Sequence, residues 1–432
     1  MTYATYVAVA LLSLVNVLVI ARALGPTGRG DVAFLTTIGG LTTQMSLMGF
    51  EQAAMNFAGR DPRLTPALAS TSLLLAGALG ATAVGVVALL VALFPGVAGD
   101  ADRTLLWVVL ASLPLLIFGE YLRYLASAHY RFKVMNAAYL LPSALNAALN
   151  TTLAVTGALT VAAAVAIWVA GQVLAAGFLT WYVVRRLHGF GRPDGPLARR
   201  GLGFGIKAHA GRVMIFGNYR LDQWILGGVS GSRELGHYSV AVAWAEALFF
   251  LPQALVNVQR PDLVRADREE ARESAAIVLR ASVLITAVLA AAMLALAPFL
   301  CVTVFGSDFE ESVDDLRILT FGAFGIAALK LLGNALTAQR RPLLETAAIG
   351  VAFALVVVLD ILLIPPHGAE GAAVASTIAY SAGGVAVVLI FARALGARPR
   401  DLIPRPRDVS WLASRVLYAA RRRRTRGDTF RR

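Results

Sequence analysis

The sequence predicts an all-α polytopic membrane protein, with about twelve transmembrane helices in two parallel six-helix repeats around a central cavity. Three observations carry that class. The 432 residues are 58% hydrophobic and only 15% charged, whereas soluble chains average about half apolar and about a quarter charged. Many of the apolar residues fall in runs longer than about 18, each enough to cross a bilayer core. Motifs of the first half also recur in the second at offsets of 206 to 211 residues. A soluble enzyme, a secreted disulfide scaffold and a nucleic-acid-binding protein are thereby excluded, despite a formal net charge of +13. A single cysteine, Cys301, leaves no disulfide framework and no cysteine-based metal site.

Windows of about 19 residues place spans at 2–22, 31–57, 64–94, 104–128, 135–157, 160–184, 204–228, 237–258, 275–303, 314–338, 343–364 and 371–395. The first lacks a basic segment before it and a small-residue cleavage site after it, so it reads as a membrane helix rather than a signal peptide. The third and ninth are long enough to need tilt. Pro114, Pro142 and Pro252 lie inside the fourth, fifth and eighth spans, where each frees a carbonyl and favours a kink. Such breaks survive in lipid only where neighbouring helices or a cavity satisfy the backbone.

Orientation follows from the basic residues of the loops. Loops after even-numbered spans hold fifteen Lys and Arg, among them Arg131, Lys133, Arg185, Arg186 and Arg340; loops after odd-numbered spans hold only Arg29, Arg103 and Arg233. Both termini are therefore expected on the cytoplasmic side. The repeat is read from three matches. Gly25-Pro26-Thr27-Gly28-Arg29-Gly30 closes the first span and Gly231-Ser232-Arg233-Glu234-Leu235-Gly236 closes the seventh, both outer glycines being offset by 206. Ala126–Arg131 maps onto Leu336–Arg341, and Thr156–Leu159 onto His367–Glu370. Six spans per unit is an even number, so the halves share one orientation, related by an axis along the membrane normal. The expected organisation is a first lobe over 1–185, a linker over 186–203, a second lobe over 204–396 and a basic tail over 397–432.

Ala21-Arg22-Ala23-Leu24-Gly25-Pro26-Thr27-Gly28-Arg29-Gly30 resembles the polysaccharide transporter family of the multidrug/oligosaccharidyl-lipid/polysaccharide exporter superfamily. The stretch Asn218–Gln223 with Leu235–Ala241 is similar to the same family, as is Leu359–Pro365 running into Gly368–Ala375. The likeness covers about residues 1–396. It implies a flippase that moves polyprenyl-pyrophosphate-linked oligosaccharide from the cytoplasmic to the outer leaflet of the bacterial inner membrane by alternating access. It breaks no covalent bond, and its expected associates are that lipid-linked glycan, polysaccharide assembly enzymes and Na⁺ or H⁺ as coupling ion, with no other cofactor. A monomer is expected. Three lysines among 39 basic residues, with abundant Ala, Gly and Val, fit a GC-rich bacterial coding bias.

An ionisable side chain at the bilayer centre costs about 2.5–3.5 kcal/mol even on the lenient insertion scale, so each one is a candidate for function. The seventh span is richest. At about 100° per residue, His209, Arg212 and Arg220 share one sector, and Lys207, Asn218 and Asp222 another. Arg212 and Arg220 suit pyrophosphate because guanidinium forks bind phosphate oxygens bidentately, and Lys207 and Lys330 add point charges. The competing account has Lys207 and His209 snorkelling while Arg220 and Asp222 balance each other. Glu246, Asp360, Asp222 and Glu51 are candidates for ion coupling or charge balance. Glu120 and Arg123 are spaced to pair, and Arg280 reads as interfacial. Asn146, Asn150 and Asn218 are candidates for sugar contacts, against plain interhelical hydrogen bonding with Asn16 and Gln172.

Arg29-Gly30-Asp31 reads as a turn rather than an adhesion tripeptide. Asp100 and Asp102 stand alone beside Arg103, and Gly201-Leu202-Gly203 follows no strand, so neither a metal nor a dinucleotide site is read there. The tail, with twelve Arg against three Asp, reads as a basic amphipathic helix over Val409–Arg424 for an anionic leaflet, or as an unstructured anchor. No nucleic acid is expected. Two competitors stay open: a multidrug cation antiporter of the same superfamily, and a membrane polymerase or glycosyltransferase, which needs a larger outer domain than these loops provide.

Overall fold

The computed structural model describes residues 3–405 and 408; the tail helix expected over Val409–Arg424 lies outside them. Among the described residues there are twelve α-helices and no strand. They are α1 (Tyr3–Ser46), α2 (Phe50–Arg60), α3 (Thr65–Leu93), α4 (Arg103–Ala128), α5 (Phe132–Val155), α6 (Val161–Arg186), α7 (Gly195–Val229), α8 (Ser232–Ala245), α9 (Phe250–Arg265), α10 (Arg268–Pro298), α11 (Ser312–Ala338) and α12 (Pro342–Leu395). Eight helical stretches are long and apolar enough to cross a membrane. Two of these, α1 and α12, break into two crossings each, and α5 and α7 complete the twelve.

The breaks are sharper than the sequence suggested. The expected loop between the first two spans is a single residue, Gly25, at φ 68°, a conformation that side chains with a Cβ rarely adopt. Pro26 follows at once, where its missing N–H costs nothing because the first helical donors have no partner anyway. Gly368 at φ 51° does the same in α12. The second span is interrupted at Met48-Gly49 before α2, and the eighth is divided at Glu246–Phe249 between α8 and α9. The seventh helix starts at Gly195, earlier than its apolar window, with the Asp194 carboxylate accepting from Leu197 N at 2.8 Å. Asp102 likewise caps α4 through Thr104 N and Leu105 N, and those backbone donors hold its carboxyl below the usual range.

The chain forms two compact units. The first comprises Met1–Ala243, Phe299–Asp315 and Val357–Ala372, the second Trp244–Pro298, Leu316–Val356 and Ala373–Arg432. In the first, Phe50, Tyr121, Leu122, Leu125, Tyr182 and Val183 belong to one buried cluster. Tyr121 stacks edge-on to Phe50 with ring centres 5.3 Å apart and donates its hydroxyl to the Leu47 carbonyl at 2.9 Å, satisfying backbone where α1 gives way to α2. In the second, Leu263, Leu331, Leu332, Leu336, Val387 and Phe391 do the same work between α9, α11 and α12. Outward-facing Leu74, Leu93, Val288, Ile361 and Leu362 are at least 60% exposed, as a lipid-facing surface requires.

Within the first unit the two matching glycine motifs lie against one another. A Cβ on Gly30 would sit 1.7 Å from the Ser232 carbonyl oxygen, and one on Gly236 would sit 2.0 Å from that of Pro26. These contacts are counterparts under the 206-residue offset, which maps Pro26 to Ser232 and Gly30 to Gly236. The Ser232 hydroxyl adds a hydrogen bond to the Asp31 carboxylate.

In the second unit, the chain after α12 is strapped down. Arg268 and Arg341 donate to the Ala394 carbonyl at 2.8 and 2.9 Å. Arg280 forks onto both oxygens of Asp408 at 2.8 and 2.9 Å and also donates to the Asp401 carbonyl. Arg280, read as interfacial from sequence, is buried against this strap. Burial works against the charged form of Asp408, but hydrogen bonds from Arg280 and Arg405 N outweigh it and hold the carboxyl below the usual range.

Two predictions follow from these contacts. Gly30→Ala and Gly236→Ala should each lower thermal stability in detergent by about 1–3 kcal/mol, the cost of overpacking, whereas Gly40→Ala, with open space around its Cβ position, should be near neutral. Asp408→Asn should speed amide exchange over 398–405 by tens of fold, equivalent to about 2 kcal/mol for a charge-assisted hydrogen bond. Because the folded carboxyl is depressed, the strap's contribution is full above the ordinary carboxylate value of about 3.9 and is lost as pH falls through the lower folded one.

Candidate functional site

The polar side chains of α7 are placed by the helices they meet in the first unit. Arg212 lies with its Nε 3.4 Å from Glu51 of α2 and its guanidinium over the Tyr124 ring of α4 at 5.3 Å. Glu51 is fully buried, whereas Arg212 keeps partial exposure. One turn earlier, His209 is buried with Nε2 2.9 Å from the Met45 carbonyl, at the end of α1. Gln223 accepts from the Thr37 hydroxyl of α1 at 3.1 Å. The Met45 carbonyl and the Thr37 hydroxyl satisfy polar atoms of His209 and Gln223 that would otherwise face hydrocarbon, whereas Glu51 and Arg212 Nε meet as an ion pair without a hydrogen bond. The Lys207 side chain lies outside the described set.

Arg212 is therefore a guanidinium with one carboxylate, one aromatic face and an open remainder. That leaves donors for an oxyanion while the Glu51 pairing fixes the planar head, since guanidinium carries five N–H groups. Glu120 and Arg123 of α4 pair as their spacing suggested, and Arg123 sits 4.4 Å over the Tyr139 ring, a self-contained neighbour to the same face.

Toward the other end of α7, Asp222 accepts from Gln223 N at 2.7 Å and from the Tyr238 hydroxyl of α8. Asp360 of α12 is fully buried, its carboxylate oxygens lack a hydrogen-bond partner, and Asp222 is close enough to act on it electrostatically. Two buried carboxylates that act on one another are costly as a pair of anions. Asn218 donates to the Met214 carbonyl at 2.9 Å, and Arg220 donates to the Tyr219 carbonyl at 2.7 Å.

In the second unit, Lys330 of α11 donates to Gln253 Oε1 of α9 at 3.0 Å, with Glu246 as its electrostatic counterpart. The break between α8 and α9 places Glu246 there. The amides divide. Asn150 donates to Asn16 Oδ1 at 2.7 Å, joining α5 to α1, and Asn146 donates to the Pro142 carbonyl one turn back at 2.7 Å. Sequence reasoning passed over His237, buried with Nε2 3.3 Å from Glu311, and Asp315, buried among Glu234, Glu370, Asp314 and Glu311. The repeat was the available signal, because Glu234 lies inside its second copy.

A twelve-crossing helical membrane chain with charged side chains held inside each of two units has the build of a transporter. The chain belongs to the polysaccharide biosynthesis protein family, whose model matches residues 19–314. Its fold is that of lipid II flippase MurJ in an inward closed conformation (TM-score 0.75, 14% identity, 93% of this chain and 89% of that one). It is also shared with the inward-facing form of a multidrug resistance MATE family transporter of the MOP superfamily (TM-score 0.68, 14% identity, 90% and 94% covered). An outward-facing MATE family structure matches at TM-score 0.59, with 13% identity and 91% and 93% covered. None of the curated proteins matches in sequence. The chain is thus a multi-pass helical membrane protein of the polysaccharide biosynthesis protein family, with the fold that those structures share.

Glu51→Gln should cost about 3–5 kcal/mol of stability, the penalty for stripping a buried charge of its partner. In a thermal-unfolding double-mutant cycle, Glu51→Gln with Arg212→Gln should lose less than the sum of the two single changes.

Proposed function

We propose that the protein is a flippase for polyprenyl-pyrophosphate-linked oligosaccharide in the bacterial inner membrane, with both termini cytoplasmic and alternating access as its mechanism. The observation that carries the reading is the partly exposed guanidinium of Arg212, oriented by Glu51 and Tyr124 on a helix that also bears Lys207 and Arg220. A diphosphate wants oriented, partly desolvated cations. Lys330, tethered to Gln253, supplies a second cation in the other unit. The family to which the chain belongs and the flippase among its fold neighbours support the same reading.

Asp222 and Asp360 serve as the coupling site for Na⁺ or H⁺ in this proposal, and Glu51 and Glu246 as charge balance for Arg212 and Lys330. Asn146 and Asn150 act as helix-packing amides that leave sugar contacts to Asn218 and its neighbours. The tail adds an anionic-lipid anchor, and the working form is a monomer beside polysaccharide assembly enzymes. The alternative, cation antiport, draws on the same Asp222–Asp360 pair but leaves the α7 cations without a purpose.

Complementation of flippase-deficient strains, each blocked on a different lipid-linked glycan, tests the reading. Arg212→Gln and Lys330→Gln should each cut export at least tenfold at normal membrane levels; full export in both would sink the diphosphate assignment. Asp360→Asn should flatten the dependence of transport on the Na⁺ or proton gradient, and an unchanged dependence would remove the carboxylate pair from coupling.

A further inference from the structure

Nothing in the residues calls for a break between α1 and α2. The run 31–57 reads as one span and holds no proline, yet the helix stops at Ser46 and restarts at Phe50. Two successive residues there are left-handed, Met48 at φ 51° and Gly49 at φ 75°. Glycine takes that conformation freely, whereas a methionine in it is strained and persists only where its surroundings impose it. The repeat offsets carry the pair into α9, which is helical throughout Phe250–Arg265, so the matching place in the second half is not broken.

The surroundings that impose the break are α7 and α4. Gly49 rests on Gly205 of α7 so closely that a Cβ on either would run into the other's carbonyl oxygen. One turn before, a Cβ on Gly201 would sit 2.6 Å from the Phe50 ring. In an unbroken helix the Met45 carbonyl would accept from Gly49 N and the Leu47 carbonyl from Glu51 N. Here His209 Nε2 of α7 stands 2.9 Å from the Met45 carbonyl, and the Tyr121 hydroxyl of α4 donates to that of Leu47 at 2.9 Å. Side chains thus serve the carbonyls that the break releases. We infer that Met48-Gly49 is a two-state joint, broken while Gly205 of α7 presses on it and wound into one continuous helix when that contact opens.

Winding two left-handed residues into the helix turns α2 relative to α1. Glu51 lies two residues beyond Gly49, so its pairing with Arg212 belongs to the broken state. In the wound state Arg212 gives up its carboxylate and is open to a diphosphate. That last step rests on the flippase reading; the joint itself does not.

The test uses the purified full chain in detergent, carrying Cys301→Ala and Ala53→Cys as the parent. Ala53 is fully buried, and its Cβ lies 3.6 Å from the Cβ position of Gly201, so a maleimide reaches the introduced thiol only when α2 and α7 part. The second readout is amide exchange over 46–51. Gly205→Ala, which leaves the joint's own residues untouched, should speed labelling about tenfold and slow that exchange several-fold, because winding restores helical hydrogen bonds. Gly49→Ala should do the same. Met48→Gly, which removes the strain of the broken state, should slow labelling several-fold. A variant that merely loses structure speeds both readouts, so opposite signs identify the joint. Labelling within twofold of the parent in both alanine variants, exchange that quickens in both, or faster labelling in Met48→Gly would each overturn it. Inorganic diphosphate added to the parent should move both readouts in the direction of Gly205→Ala. If the variants behave as expected and diphosphate moves neither readout, the joint stands and the diphosphate reading of Arg212 falls.

Discussion

Everything in the first unit is arranged around a backbone-to-backbone contact between two glycine corners. Gly30 meets the Ser232 carbonyl and Gly236 meets that of Pro26, each at a distance no Cβ tolerates. That closeness brings Ser232 within hydrogen-bond reach of Asp31. It also buries Arg29 and Leu235 at matching places. A single extra carbon on either glycine would push the corners apart and uncover both.

The second constraint is the solvent. Without water in the hydrocarbon, every polar group on α7 must find a partner on a neighbouring helix or serve a ligand. The helix therefore reads as a sequence of solved and unsolved cases. His209 is met by a carbonyl, Gln223 by a hydroxyl and Arg212 by a carboxylate and a ring. On α12 a group is left over, the Asp360 carboxylate, whose oxygens are buried without a hydrogen-bond partner. Lys330 in the second unit follows the same rule, with an amide in place of a carboxylate.

Much of the architecture was legible in the residues. Runs of apolar side chains located the crossings because bilayer thickness fixes their length, and the spaced glycines gave the repeat. What the residues hid was the economy of the turns. A hydropathy window cannot distinguish a loop from one glycine at positive φ, so the corners at Gly25 and Gly368 read as loops. The extra turns of α7 before residue 204 were missed because Arg199 and Arg200 make them polar, although Asp194 caps them. Partner choice was less visible still. Glu120 and Arg123 are three apart on one helix and could be paired on spacing alone. Arg212 with Glu51, or Arg280 with Asp408, joins residues more than a hundred positions apart and needs the fold. Arg29 looked like part of a turn, and only its alignment with a buried leucine marks it as unusual.

The first unit is assembled from three separate stretches, ending with Val357–Ala372. A ribosome makes them in order, so the long first stretch waits for two later ones before its acidic neighbours and Asp360 are in place. At about 5–20 residues per second, the wait from Ala243 to Ala372 is on the order of ten seconds. Through that interval the half-built unit carries Glu51, Arg29 and Asp222 in a membrane with its last segments missing. The paired glycine corners come from residues 25–30 and 231–236, both within the first stretch. They can close before the rest arrives, which makes them the clasp that holds a nascent chain together until its remaining helices are threaded in.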